Sequence, residues 1–199
     1  MTSATATWAR LNLPDAELWL ARDFLAPPVA GELFSQLHDE IAWETHHLRL
    51  FGRDVASPRL SCWIGDPDAR YRYSGTQFLP RPWSTTLAAL RAQVAVATGA
   101  AFNSVLANLY RDGCDGMGWH SDNEPELGPA PVIASLSLGA PRRFVLKHRR
   151  DADHRLAIEL PSGSLLVMRG ATQSHYRHAL PKTARPVAAR INLTFRQIR

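Results

Sequence analysis

Arg190-Ile191-Asn192-Leu193-Thr194-Phe195-Arg196 alternates without a break. Successive side chains of a β-strand point to opposite faces. Ile191, Leu193 and Phe195 therefore share one face, and Arg190, Asn192, Thr194 and Arg196 share the other. The apolar set reads as facing a core. The polar set offers two guanidiniums with a carboxamide and a hydroxyl between them. A guanidinium fork suits a carboxylate, so a dicarboxylate lying along this face could meet an arginine at each end. An exposed edge strand, whose charges discourage pairing with other chains, fits the same pattern.

Short extended segments with turns between them precede this stretch, at 103–110, 117–122, 132–138, 143–148, 155–160, 164–168 and 173–178. Two helical patterns stand before them. Pro27-Pro28 opens the first, in which Leu33, Phe34, Leu37 and Ile41 recur at steps of three and four. Pro82-Trp83 starts the second, with Leu87, Leu90, Val94 and Ala97 on one face and Gly99 as the stop. Residues 1–13 read as frayed, and Ala16 to Phe24 as a short strand or helix. The expectation is a mainly β chain with flanking helices (α+β), closed as a barrel or jelly roll.

Trp119-His120-Ser121-Asp122 carries the chemistry. On an extended strand His120 and Asp122 point to the same face, so an imidazole and a carboxylate stand side by side. That is two thirds of a mononuclear iron site of the two-histidine, one-carboxylate type. The third ligand should be a histidine well downstream. His175 and His178 both qualify, and spacing does not choose between them. Asn108 and Tyr110 share a face in the 103–110 segment, with hydrogen-bonding tips that suit the same polar ligand.

From Trp43 to Pro82 bases and aromatic rings interleave, as in His47-Leu48-Arg49-Leu50-Phe51, Pro58-Arg59-Leu60-Ser61-Cys62-Trp63 and Tyr71-Arg72-Tyr73-Ser74-Gly75. Such a mixture can pair phosphates and stack bases, or belong to a mixed sheet whose aromatics are buried. The chain has 199 residues, 45% hydrophobic and 21% charged, which suits one domain with a sizeable core. Its net charge of +5 favours a polyanionic partner. No apolar run approaches the ~20 residues of a membrane span, and the N-terminus lacks a signal pattern. A soluble, cytoplasmic protein is expected. Cys62 and Cys114 do not form a C-x-x-C pair and read as ordinary small residues.

Asn108–Gly113 (NLYRDG), Trp119–Pro125 (WHSDNEP), Ile133–Gly139 (IASLSLG), Gly163–Met168 (GSLLVM), His178–Pro181 (HALP) and Arg190–Arg196 (RINLTFR) occur in that order. Together they resemble the AlkB family of iron(II)- and 2-oxoglutarate-dependent dioxygenases, especially its members that repair alkylated nucleic-acid bases. The resemblance runs from about Leu48 to Arg199. It implies a double-stranded β-helix, agreeing with the jelly roll read from the strands. It also implies that His120, Asp122 and His178 hold the iron. Arg190 and Tyr110 would hold the distal carboxylate of 2-oxoglutarate, Arg196 and Asn108 would stand near its metal-bound end, and Asn192 and Thr194 would line the same face.

The implied reaction couples decarboxylation of 2-oxoglutarate by O2 to hydroxylation of an N-methyl group, of the N1-methyladenine or N3-methylcytosine type, with loss of formaldehyde. Alkylated DNA is the expected partner; the alternatives are RNA, another alkyl adduct, or a non-catalytic nucleic-acid-binding module. Phe51 resembles a residue that probes the duplex. Tyr73 is the stacking candidate within Tyr71-Arg72-Tyr73-Ser74-Gly75, with Trp63 second, and Arg59 matches a nucleic-acid-facing position. Asn123 and Glu124 follow the H-x-D stretch where close relatives carry Asp then Glu. An amide both donates and accepts, whereas an ionised carboxylate only accepts, so base preference could shift here. The expected organisation is one domain over 1–199 and a monomer: an N-terminal extension and helix to residue 43, a nucleotide-recognition segment over 44–82, and a jelly-roll core over 100–199.

Overall fold

The structure is a computed structural model that describes residues 6–45, 47–50, 53–69, 71–73 and 76–199. In chain order its elements are β1 (Trp8–Leu11), β2 (Glu17–Ala21), α1 (Pro27–Glu40), β3 (His47–Leu50), β4 (Arg53–Ala56), β5 (Leu60–Gly65), β6 (Tyr71–Tyr73), β7 (Thr76–Phe78) and α2 (Thr85–Thr98). There follow β8 (Ser104–Tyr110), β9 (Met117–His120), β10 (Ile133–Gly139), β11 (Arg142–His148), β12 (Arg155–Leu160), β13 (Leu165–Arg169), α3 (Thr172–His175), β14 (Tyr176–Leu180) and β15 (Arg190–Arg196).

The helices start and stop where local chemistry says they should. Pro27 and Pro28 occupy the first turn of α1, where a missing N–H costs nothing. Ser84 caps α2, its hydroxyl accepting from the Leu87 N–H at 3.2 Å. Gly99 ends α2 in the left-handed conformation, at φ 64°. The buried stripe of α2 is Leu87, Leu90, Val94 and Thr98; Thr98 takes the place expected for Ala97 and satisfies its hydroxyl on the Val94 carbonyl.

Seven strands form one sheet in the order β1-β2-β13-β10-β15-β8-β5, and four form a second in the order β12-β11-β14-β9. The hairpins β3-β4 and β6-β7 stand as separate two-stranded ribbons. One apolar cluster fills the space between the large sheet and the helices, joining Leu37, Leu87, Leu90 and Val94 to Leu136, Ile191, Leu193 and Phe195. The second fills the space between the sheets, joining Leu18, Ile133 and Leu166 to Leu146, Ile158 and Tyr176. Two facing antiparallel sheets braced by helices are the jelly roll expected from the strand pattern.

Three segments differ from expectation. Trp8 to Leu11 is not frayed: β1 pairs β2 from Trp8↔Ala21 to Leu11↔Leu18, and β2 in turn pairs β13. Residues 173–178 are not one strand, because α3 makes a short helical turn and β14 begins at Tyr176. The strand expected over 117–122 ends at His120.

β15 is no edge. It lies between β10 and β8, and all seven of its residues are buried. Its apolar residues enter the helix-side core as expected. Its polar residues face the space between the sheets and line a cavity there. Phe195 is fully buried, with its ring centroid 6.0 Å from that of Phe102. Phe195→Ala is expected to lower stability by roughly 3–5 kcal/mol, read as a shift in urea midpoint at unchanged slope.

Candidate metal centre and co-substrate pocket

β9 and β14 are antiparallel neighbours, and their register sets His120 opposite His178. Directly opposed side chains have Cβ atoms about 5 Å apart. Here the two rings meet edge to face with centroids 4.2 Å apart. Asp122 follows two residues past His120, and its Oδ2 comes to 4.0 Å from His178 Nε2. Ligand atoms of His120, Asp122 and His178 all lie within 4.8 Å of one another.

His120 and Asp122 are each oriented by a second contact. His120 Nδ1 faces the Gly118 carbonyl at 2.8 Å. A carbonyl only accepts, so Nδ1 carries the proton and Nε2 keeps its lone pair for a metal. Asp122 Oδ1 accepts from Arg196 Nη2 at 2.6 Å, which leaves Oδ2 as the ligand atom. The Asp122 N–H donates to Gln173 Oε1 at 2.9 Å.

Burial, with His120 next to it, pushes the His178 imidazole down to about 3, so it is neutral at physiological pH. Burial also lowers His120. Burial pushes the Asp122 carboxyl up, but the Arg196 guanidinium that donates to it holds the group below the usual carboxylate range. Two neutral imidazoles and one carboxylate, converging from one side, are the donor set of a non-haem ferrous site with open positions.

A second trio, Asp15, His148 and His175, also lies within 4.8 Å. Its hydrogen bonding is of the wrong polarity for a metal. His148 Nδ1 accepts from the backbone N–H groups of Arg150 and Asp151, at 3.2 and 3.0 Å. The ring proton must then sit on Nε2, the nitrogen that faces Asp15 at 3.7 Å. His175 stacks on His148, with centroids 5.6 Å apart. Geometry thus separates the two histidines that spacing left open: His178 joins His120 and Asp122, and His175 does not.

The polar face of β15 borders the trio. The Arg190 side chain is buried; its Nη2 donates to Ser137 Oγ at 2.9 Å. Its Nε is buried without a hydrogen-bond partner among the described residues. Burial lowers this guanidinium to about 10, which still leaves it charged at neutral pH. A buried cation with an unused N–H beside an open cavity fits an anion. Tyr110 stands next to it, its ring centroid 5.4 Å from the guanidinium carbon. Asn192 donates to Ser135 Oγ and the Leu136 carbonyl, and Thr194 donates to Asn192 Oδ1. These two shape the wall, while Arg196 marks its metal end through Asp122.

Arg59 is turned inward. It is 6% exposed, and it donates to Asn108 Oδ1 at 2.7 Å and Ser57 Oγ at 3.0 Å. The position expected to face nucleic acid thus lines the cavity and holds Asn108. Trp63 lines the same cavity and donates to the Ala69 carbonyl. Asn123 is exposed. Glu124 Oε2 is buried with no hydrogen-bond partner among the described residues. Phe51 and Ser74 lie outside the described residues, and Tyr71 and Tyr73 are placed on β6 by backbone pairing to β7.

Gln173, Ser135 and Ser137 hydrogen-bond to the candidate site residues Asp122, Asn192 and Arg190, and none of the three is among the site residues read from the sequence. The serines carry a signal, because Ile133–Gly139 alternates and its pairing with β15 sets Ser135 beside Thr194 and Ser137 beside Asn192. Gln173 carries none, since it lies in a turn of helix that no periodicity marks. Gln173→Leu strands a buried backbone N–H, which costs about 1–3 kcal/mol, and frees the loop bearing Asp122. Iron(II) affinity is expected to fall roughly 10- to 100-fold, read by equilibrium dialysis.

Two neutral imidazoles and a carboxylate at the mouth of a jelly roll, beside a buried arginine, define an iron-dependent oxygenase that takes an anionic co-substrate. The 2OG-Fe(II) oxygenase superfamily matches the chain over residues 17–196. The chain is 39% identical over 179 residues to DNA oxidative demethylase ALKBH2 of Mus musculus, spanning 85% of this chain and 75% of that protein. It is 40% identical over 179 residues to DNA oxidative demethylase ALKBH2 of Homo sapiens, spanning 85% of this chain and 69% of that one. It is 39% identical over 178 residues to alpha-ketoglutarate-dependent dioxygenase alkB homolog 3 of Bos taurus, spanning 85% of this chain and 62% of that protein. The solved structure of OsALKBH1 superposes with a TM-score of 0.69 at 16% identity, covering 96% of this chain and 100% of that one, and shares the fold. The chain belongs to the AlkB family of iron(II)- and 2-oxoglutarate-dependent dioxygenases. Its co-substrates are 2-oxoglutarate and O2, and its metal is iron(II).

Proposed function

We propose that the chain removes methyl groups oxidatively from alkylated bases in DNA, of the N1-methyladenine and N3-methylcytosine type. The observation that carries this reading is the convergence of His120, Asp122 and His178 beside the buried Arg190 in one cavity. The DNA demethylases named among its relatives and the net charge of +5 support the choice of substrate.

Iron(II) and 2-oxoglutarate, when bound, use O2 to hydroxylate the N-methyl carbon, giving succinate, carbon dioxide and an adduct that releases formaldehyde. The protein supplies position. His120, Asp122 and His178 would hold the metal, whose chemistry needs positions that these three donors do not fill. Arg190 and Tyr110 hold the distal carboxylate of the diacid, and Arg196 and Asn108 stand at its other end. Phe144, whose ring centroid is 5.3 Å from that of His178, and Leu180 present apolar surface to the same cavity and keep bulk water from it.

The base must leave its stack to reach this cavity, at a cost of a few kcal/mol that is smallest for a damaged or unpaired base. Tyr73, on the β6-β7 ribbon, is the candidate for the stacking ring; Tyr71, Ser74 and Phe51 are the further substrate candidates that the sequence offers. Asn123, exposed beside the metal centre, reads the base edge. Tyr73→Ala is expected to lower methylated-oligonucleotide turnover about tenfold, from loss of roughly 1–3 kcal/mol of stacking, with little change in succinate formed without oligonucleotide. Equal loss of both would remove Tyr73 from the base site.

The test is incubation with iron(II), 2-oxoglutarate, O2 and a methylated DNA oligonucleotide, with the RNA counterpart in parallel. Formaldehyde and succinate in equal amounts from DNA are expected. Folded, iron-loaded protein that forms succinate but no formaldehyde from DNA would refute the substrate, and faster turnover of RNA would move it.

A further inference from the structure

We propose that Arg142 is a positioning residue for 2-oxoglutarate: it fixes Tyr110 and adds a second buried positive charge near Arg190. The inference rests on the assignment of the distal carboxylate to Arg190 and Tyr110.

Arg142 opens β11 and is 3% exposed. Its Nη1 donates to the Asp112 carbonyl at 3.0 Å, and its Nη2 donates to the Asp115 carbonyl at 2.9 Å and the Pro181 carbonyl at 2.8 Å. All three acceptors are neutral. Asp115 and Asp112 are the nearby acids; Arg111 takes both oxygens of Asp115, Nε to Oδ2 at 2.8 Å and Nη2 to Oδ1 at 2.9 Å, and Asp112 Oδ1 accepts from the Cys114 N–H at 2.8 Å. Among the described residues no ion pair reaches Arg142. Its charge therefore stands inside the protein with only partial compensation.

This guanidinium and that of Arg190 both approach the Tyr110 ring. The Arg142 guanidinium carbon is 5.9 Å from the Tyr110 ring centroid and the Arg190 carbon is 5.4 Å from it. Aromatic faces attract cations, so both guanidiniums hold the ring. The two guanidiniums repel each other, and each lowers the cost of an anion placed at the Arg190 end. A carboxylate bound there meets two buried cations where one is apparent from the β15 face.

The carbonyls that Arg142 holds belong to strand ends. Asp112 and Asp115 lie in the loop that leaves β8 directly after Tyr110, and Pro181 directly follows Leu180 at the end of β14. The same two segments touch at Gly113, whose carbonyl accepts from the Thr183 N–H at 2.9 Å. A Cβ at Gly113 would meet the Thr183 carbonyl oxygen at 2.4 Å, so only glycine lets the segments approach this closely. One side chain thus ties the end of the strand bearing Tyr110 to the end of the strand bearing His178. Arg111, Asp112 and Gly113 of the NLYRDG stretch build the loop that Arg142 grips.

The test compares Arg142→Lys, Arg142→Gln and Arg190→Lys with the parent enzyme. Three quantities are read: KM for 2-oxoglutarate, kcat at saturating 2-oxoglutarate, and anaerobic 2-oxoglutarate affinity from the visible charge-transfer absorption of the ferrous protein. Arg142→Gln is expected to raise KM and weaken affinity about tenfold, with kcat within about twofold and iron affinity unchanged. Arg142→Lys keeps the charge but not the fork that spans three carbonyls, and should fall between. If Arg142→Gln does not fold, Arg142→Lys decides with a weakening of about threefold or more. Variants that melt earlier but keep parental 2-oxoglutarate affinity would make Arg142 a loop strut and overturn the proposal. Arg190→Lys separates the two levels. If it weakens 2-oxoglutarate and the Arg142 variants do not, only Arg142 loses its role. If it too leaves affinity unchanged, the pocket assignment itself is wrong.

Discussion

His178→Ala is expected to retain no stoichiometric iron and form no succinate, while His175→Ala keeps both. The two residues are three apart and both imidazoles are at least partly buried. What separates them is the element that carries each. His178 lies on β14 in register with His120, and its Nε2 is 4.0 Å from Asp122 Oδ2. His175 lies at the end of α3, where its ring stacks on His148. Removing His178 leaves one imidazole and one carboxylate, a donor set that no longer closes one face of the metal. Iron content after gel filtration and succinate yield are the measurements, with far-ultraviolet circular dichroism to show that each variant folds. An inactive His175→Ala with an active His178→Ala would mean that the iron lies in the Asp15 trio instead.

Arg190→Ala should raise the 2-oxoglutarate requirement by about thirtyfold or more. Truncating one partner of a buried, hydrogen-bonded charge pair costs about 2–5 kcal/mol, and each 1.4 kcal/mol is tenfold. The arginine is 2% exposed, points one N–H at Ser137, and has an Nε with no partner among the described residues. No water-accessible substitute can replace it at that depth. The effect belongs in KM, because the distal carboxylate takes no part in bond breaking and its contact is equal in ground and transition states. An unchanged KM would contradict the role. Iron affinity should be unaffected, since the metal end of the wall is held by Arg196 and Asp122.

The fold was legible wherever a local rule was enough. Pro27-Pro28 and Gly99 mark helix ends because each acts through its own backbone. β15 was legible because alternation is a property of the strand itself. What alternation cannot say is which polar face meets solvent and which meets a cavity, so an edge strand and a buried wall read alike. The partners decide that, and β10 and β8 lie more than forty residues away in sequence. β1 escapes a local reading for the same reason, since Trp8 to Leu11 gains its order from pairing with β2.

The site follows the same division. His120 and Asp122 could be paired because two residues on an extended chain share a face. His175 and His178 could not be told apart by spacing, because the choice is made by which strand lies beside β9. The resemblance chose His178, and the register agrees. Arg59 shows what a motif leaves open: the Pro-Arg pair was legible, its inward turn onto Asn108 was not. Gln173 was invisible for a simpler reason. It acts through the backbone N–H of Asp122, and nothing in a side-chain pattern reports a backbone contact.

The most direct measurement is an anaerobic titration of the iron(II)-loaded protein with 2-oxoglutarate, followed by visible absorption. If His120, Asp122 and His178 hold one ferrous ion beside the arginine pocket, a charge-transfer band should grow to a plateau at one 2-oxoglutarate per chain, and disappear in His178→Ala. A folded, iron-loaded protein that shows no such band, or a band that persists undiminished in His178→Ala, would contradict the site.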